Sequence, residues 1–203
     1  MSINQFRGEL DASLSSLTAL MKSDFCMGIP VMVSNSVEAD RNSVVTAVLN
    51  DVKSKYVRVF DDKGKEVKSQ CSSLADGSME VLFLADVTSL GVRVYDVRPS
   101  DEPCRISSVL TINGDTISNQ KYEVRLNKNG DIQSIIDKED NDRELLAKPV
   151  VLGQFNYTGS KDWPAWEMNY NEANKEPDRI PSCVTVKVKE SGPVRVSLSL
   201  IHI

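Results

Sequence analysis

The chain has 203 residues, 40% of them hydrophobic, which is enough to bury a core in one large domain or two small ones. Its 24 basic and 29 acidic side chains are interspersed and leave a net charge of −5, with no Lys or Arg run able to neutralise a phosphate backbone, so no nucleic-acid partner is expected. No stretch reaches the roughly 18 to 20 consecutive apolar residues of a membrane-spanning helix, and the N-terminus lacks a basic-then-apolar signal pattern, so no membrane partner is expected and the compartment stays open.

From Gln5 to Met21 the residues Phe6, Leu10, Leu14, Leu17 and Met21 recur every three or four positions, which predicts an amphipathic helix. One helix cannot bury such a stripe alone, so it is expected to lean on helices outside this chain or on the β-rich part. After Met27, Gly28 and Pro30 the pattern turns to short β-rich runs: Val31–Ser34, Ser43–Leu49, Tyr56–Phe60, Met79–Ala85 and Val92–Val97. Asp61-Asp62-Lys63-Gly64 separates two runs and predicts a hairpin from Tyr56 to Val67, with Gly64 at positive φ. Pro99 to Pro103 encloses polar residues and is the expected linker. Strands resume after Ile106, and Asn127-Lys128-Asn129-Gly130 is a second turn, between Tyr122–Leu126 and Ile132–Ile136. Neither turn has the alternating carboxylates of a calcium loop. Asn169–Pro181 is polar and Pro-flanked, as in a long surface loop, and the last strand signals are Val184–Val188 and Val194–Ile203. Strand signal running into the chain end suggests a truncated domain, and residues 198–203 resemble translated adapter sequence rather than native chain.

Cys26, Cys71, Cys104 and Cys183 form no CxxC pair and are read as free, partly buried thiols. The single histidine, His202, stands next to the chain end, and a Ser-His-Asp triad, a Cys-His pair or a multi-histidine zinc site each needs histidine inside a pocket. No catalytic or metal-ligating residue is therefore nominated. The candidate substrate-binding residues are Trp163, Trp166, Glu167 and Tyr170. The two tryptophans lie three residues apart around Pro164, so paired indoles can stack on sugar rings while Asp162 and Glu167 accept hydroxyl hydrogen bonds. Core packing under a loop is the bland alternative. Asp137-Lys138-Glu139-Asp140-Asn141-Asp142-Arg143 mixes both signs and reads as a solvated loop rather than a cation site, and Asn156-Tyr157-Thr158 fits the N-glycosylation pattern.

Four blocks, in order, resemble the region that follows the catalytic domain in family 38 α-mannosidases. The first is Pro30-Val31-Met32-Val33-Ser34-Asn35-Ser36-Val37-Glu38-Ala39-Asp40-Arg41, similar to the family's V-V-F-N-P-L-S-W-E-R, with Ser36 and Ala39 departing from its Pro and bulky residue. The second takes Asp61, Gly64 and Val67-Lys68-Ser69-Gln70, then Phe83-Leu84-Ala85-Asp86-Val87 and Leu90-Gly91-Val92-Arg93-Val94-Tyr95. The third runs from Ile117 to Val124 and from Gly130 to Lys138, followed by Arg143-Glu144-Leu145-Leu146. The fourth is Asp162-Trp163-Pro164-Ala165-Trp166-Glu167.

The resemblance implies a mainly β fold: a helix remnant from the end of a helical bundle (residues 1–24), a small β-sandwich (25–98), and the truncated start of a galactose-mutarotase-like β-supersandwich (106–203). It also implies a parent enzyme that removes terminal α-mannose from oligosaccharides with retention, using a zinc ion held by two histidines and two aspartates in domains this chain lacks. The fragment itself is expected to be inactive and to need no cofactor of its own. Its expected partners are the catalytic and helical domains of the same parent chain and a mannosyl oligosaccharide. A stand-alone β-sandwich that binds carbohydrate through Trp163 and Trp166 is the main alternative. An aldose-epimerase-like enzyme is the third, and it lacks a pocket histidine.

Overall fold

The computed structural model describes residues 2–156, 162–163, 166–181 and 183–202. The chain divides into two units, Met1–Ser108 with Gly192–Arg195, and Val109–Ser191 with Val196–Ile203.

In the first unit, helix α1 (Ile3–Leu20) begins at a reciprocal cap: Gln5 N–H donates to Ser2 Oγ at 3.3 Å and Ser2 N–H to Gln5 Oε1 at 3.0 Å. That cap starts the helix two residues before the apolar period does. No residue of α1 is buried, and Phe6 and Leu10 of its stripe are exposed.

Seven strands follow. They are β1 (Ile29–Ser34), β2 (Arg41–Leu49), β3 (Tyr56–Phe60), β4 (Glu66–Val67), β5 (Ser69–Ser73), β6 (Met79–Val87) and β7 (Val92–Ser100). They form two antiparallel sheets, β1-β7-β3-β4 and β2-β6-β5. The inner faces share one core: Val57, Val59, Tyr95 and Val97 from the first, Val81, Phe83 and Ala85 from the second. Phe83 and Tyr95 meet with ring centroids 5.0 Å apart. The Tyr95 hydroxyl reaches the backbone of Asp86, accepting from its N–H at 2.8 Å and donating to its carbonyl at 3.0 Å, so the largest core side chain leaves no orphan polar atom.

The expected β3–β4 hairpin is present. Gly64 has φ 73°, and Asp61 Oδ1 accepts from the N–H groups of Lys63 and Lys65 at 3.0 and 2.8 Å. One boundary differs: β7 runs through Pro99 to Ser100, so Pro99 is strand, not linker. A proline fits there because β1 pairs β7 only as far as Val97, while Pro99 has β3 on one side alone, opposite Val57.

The second unit holds an antiparallel sheet of β8 (Thr111–Asn113), β9 (Thr116–Ser118), β10 (Tyr122–Leu126), β11 (Ile132–Asp137) and β12 (Arg143–Glu144), in reverse chain order across the sheet. The antiparallel pair β13 (Cys183–Ser191) and β14 (Val196–His202) packs against β8. The polar stretch before β13 contains one helical turn, α2 (Tyr170–Ala173). Burial is uneven: the buried hydrophobic residues of the first unit number a dozen, and among the described residues of the second Leu126 is the only buried hydrophobic one. No described helix is long and apolar enough to cross a membrane.

Candidate functional site

The proposed sugar-facing residues share one surface segment leading into α2. Pro164 and Ala165 lie outside the described residues; on the far side of them the N–H groups of Trp166 and Glu167 both donate to the Trp163 carbonyl at 3.0 Å. Asn169 then supplies the helix-entry carbonyl, accepting from Glu172 and Ala173 N–H at 3.0 Å. Trp163, Trp166 and Tyr170 are 62%, 87% and 79% exposed, and Glu167 is exposed too. Core packing under a loop, the bland reading, does not describe these indoles.

What fixes this segment follows it in sequence. Lys175 Nζ lies 3.0 Å from Glu172 and 3.8 Å from Asp178, and it donates to the Asn156 carbonyl at 3.1 Å. The hydrogen bond to Glu172 is the main reason the Lys175 ammonium is held above its ordinary range. Asp178 in turn accepts from Asn156 N–H at 2.6 Å, and Gln154 and Arg179 exchange backbone bonds at 2.8 and 3.2 Å. Gly153 lets this approach happen, because a Cβ there would meet Pro177 Cβ at 3.0 Å and the Phe155 ring at 3.2 Å. Sequence reasoning missed Lys175, Asp178 and Gly153. The Glu172–Lys175 spacing of three on a helical turn was the one local signal available.

The chemistry this segment offers is exposed aromatic faces beside a carboxylate. Among the described residues no group of three or more His, Cys, Asp or Glu is placed to hold a metal ion. The zinc implied by the resemblance therefore does not fit this chain's described residues. The 137–143 stretch is a surface turn: Asp140 pairs with Arg143 at 2.9 Å, Glu139 with Lys121 at 3.3 Å, and Asn141 and Asp142 take φ of 53° and 54°. Tyr157 and Thr158 of the glycosylation tripeptide, and the His202 side chain, lie outside the described residues. Cys26, Cys71 and Cys104 are free and partly buried.

Within the first unit, a hollow of about 180 Å³ is lined by Val33, Val45 and Val87 beside Asn35. Its amide is already committed. Asn35 Nδ2 donates to the carbonyls of Ala39, Val87 and Thr88 at 2.7, 3.3 and 3.0 Å, and Oδ1 accepts from Val37 N–H at 3.2 Å. That side chain closes the end of the sandwich and offers nothing to a ligand.

Residues 117–202 match the family model described as Glycosyl hydrolases family 38 C-terminal domain. No curated protein matches the chain. Two solved structures are similar. A protein in glycosyl hydrolase family 38 from Enterococcus faecalis has a TM-score of 0.50 at 14% identity, over 85% of this chain and 24% of its own. An α-mannosidase from Enterococcus faecalis V583 has a TM-score of 0.48 at 14% identity, over 85% and 23%. The chain thus spans about a quarter of the length of these structures. Residues 117–202, from within β9 onward, are thus similar to the family 38 C-terminal domain and hold the third and fourth of the resembling blocks, and the fold is mainly β with an N-terminal helix.

Proposed function

We propose, taking the family 38 C-terminal domain over residues 117–202 as premise, that this chain is a non-catalytic structural part of an α-mannosidase that hydrolyses terminal α-mannose residues of oligosaccharides. The catalytic and helical domains of the same parent chain are its partners, and the zinc of the complete enzyme belongs to them. The family match carries this reading. The absence of a pocket histidine in the sequence supports inactivity of the chain alone, because the implied zinc set needs two histidines and His202 is the only one.

In the parent enzyme, the segment from Asp162 to Tyr170 presents its aromatic rings to the mannosyl oligosaccharide. Trp166 and Tyr170 supply stacking faces, Trp163 a second indole, and Glu167 a carboxylate for sugar hydroxyls. The high exposure of three rings on one segment favours this over a packing role, since apolar rings left in water on a short surface stretch are a common mark of a binding surface.

The test uses the chain as it stands. Added to 4-nitrophenyl α-mannoside with and without zinc, it gives no turnover; zinc-dependent release of nitrophenol refutes the non-catalytic assignment. Reading the coding frame on both sides gives the complementary result: an upstream in-frame domain with two histidines and two aspartates for zinc supports the parent enzyme. The alternative, a stand-alone carbohydrate-binding β-sandwich, is favoured if the isolated chain binds mannosides and Trp166→Ala abolishes that binding.

A further inference from the structure

Strand β2 ends the three-stranded sheet, so it has a neighbour on one side only. The direction of its free groups follows from the ladder. Leu84 N–H donates to the Lys68 carbonyl at 3.0 Å, so Leu84 and alternate residues of β6 face β5, while Val81, Phe83 and Ala85 face β2. Phe83 lies opposite Val45 and Val81 opposite Ala47, which turns the backbone of Ser43, Val45 and Ala47 towards β6. The N–H and C=O groups of Asn42, Val44, Thr46 and Val48 therefore point out of the sheet edge. Among the described residues, no hydrogen bond reaches them.

This edge lacks the usual protections against strand addition. β2 is nine residues long, has no proline, and carries no charge from Asn42 to Leu49, whereas the edge strand of the other sheet, β1, contains Pro30. Val44 and Val48 are 45% and 55% exposed on its outer face.

The occupant this edge fits is itself. Antiparallel pairing about a two-fold axis through Thr46 joins only outward-pointing residues. It sets Val44 opposite Val48 of the second copy and Thr46 opposite Thr46, both favourable cross-strand combinations. The same register carries Arg41 of each copy towards Asp51 of the other. Neither side chain has an ion-pair partner in its own chain among the described residues. Charge and side-chain type thus match in one register without any like-charge clash.

We propose that two copies of this chain associate through β2 in that register, making one continuous six-stranded sheet. A single strand edge buries less than a standard interface, so the dimer is weak and concentration-dependent.

Sedimentation equilibrium across micromolar and higher concentrations tests this. The expected mass rises from 22.5 kDa towards twice that value. Thr46→Lys and Thr46→Glu each place like charges directly opposite one another on the two-fold axis, and each stays monomeric. Mixed in equal amounts, they recover the dimer, which also shows that both fold. A wild-type mass of 22.5 kDa at every concentration overturns the proposal. So does dimerisation of both variants separately, or a mixture that remains monomeric.

Discussion

Asp96 offers the sharpest test of how the first unit is held together. Its side chain is fully buried and accepts three hydrogen bonds, from Met27 N–H and Gly28 N–H at 2.8 Å each and from Arg98 Nε at 2.7 Å. It thereby fastens the chain leaving α1 onto the middle of the β1-β7-β3-β4 sheet. Each bond to a charged group contributes about 1.5–3 kcal/mol, but the three share one carboxylate and do not add. In an Asp96→Ala chain Arg98 keeps some compensation, from the Phe60 ring 4.0 Å away and from solvent at its 25% exposed side chain. The net loss is set at about 3 kcal/mol, mostly from two backbone donors left without a partner. For a unit on the order of 100 residues that lowers Tm by roughly 12–24 °C.

Thermal and urea unfolding of wild type, Asp96→Ala and Asp96→Asn measures it. Asp96→Ala losing less than about 1 kcal/mol would refute the reasoning. Burial alone would raise the Asp96 pKa, but the bonds from Met27, Arg98 and Gly28 outweigh it and hold the carboxyl below its ordinary value of 3.8. The unfolded chain therefore binds this proton more readily than the folded one. The stabilisation is complete above the ordinary value of 3.8 and is lost as pH falls through the lower folded value, so the wild-type advantage over Asp96→Asn shrinks in that acid window.

Three further outcomes are expected. Cys26 has its thiol pushed above 9.0 by burial first and by the Asp96 charge next, so alkylation of Cys26 at fixed pH speeds up in Asp96→Ala; an unchanged rate argues against that coupling. Phe83→Ala removes a fully buried ring packed at a tilt against Tyr95 and costs about 3–5 kcal/mol in urea unfolding, and a loss near zero would mean the two sheets do not share this core. The chain's two tryptophans are both largely exposed, so its emission is that of solvated indole and is quenched efficiently by acrylamide; a blue-shifted, protected spectrum would remove the aromatic segment from the surface.

Most strands were legible because each alternates or runs apolar between turn residues. The Asp61–Gly64 and Asn127–Gly130 turns carry their geometry in local chemistry, with Gly64 and Gly130 at φ of 73° and 78°. Asp96 was not legible. It sits in Val94-Tyr95-Asp96-Val97, where one carboxylate in a strand gives no hint that its partners lie 68 and 69 residues earlier. Pro99 misled for a related reason: proline marks a boundary locally, but whether a strand tolerates it depends on what stands beside it, here the end of β1. At the aromatic segment the residue types were readable and their outward placement was not. That placement depends on Lys175 and Asp178 closing back on Asn156, a pairing no short window contains. The depth of α1 was likewise a matter of partners rather than period.

The fastening by Asp96 also says which substitutions drift can accept during descent. It grips the main chain of residue 27, not its side chain, and Met27 is 75% exposed, so almost any residue other than proline serves there. Its neighbour has no such freedom, because a Cβ on Gly28 would lie 2.3 Å from the Val97 carbonyl oxygen. Among homologues that keep this joint, the glycine and the aspartate should both be retained, with a freely varying position immediately before the glycine.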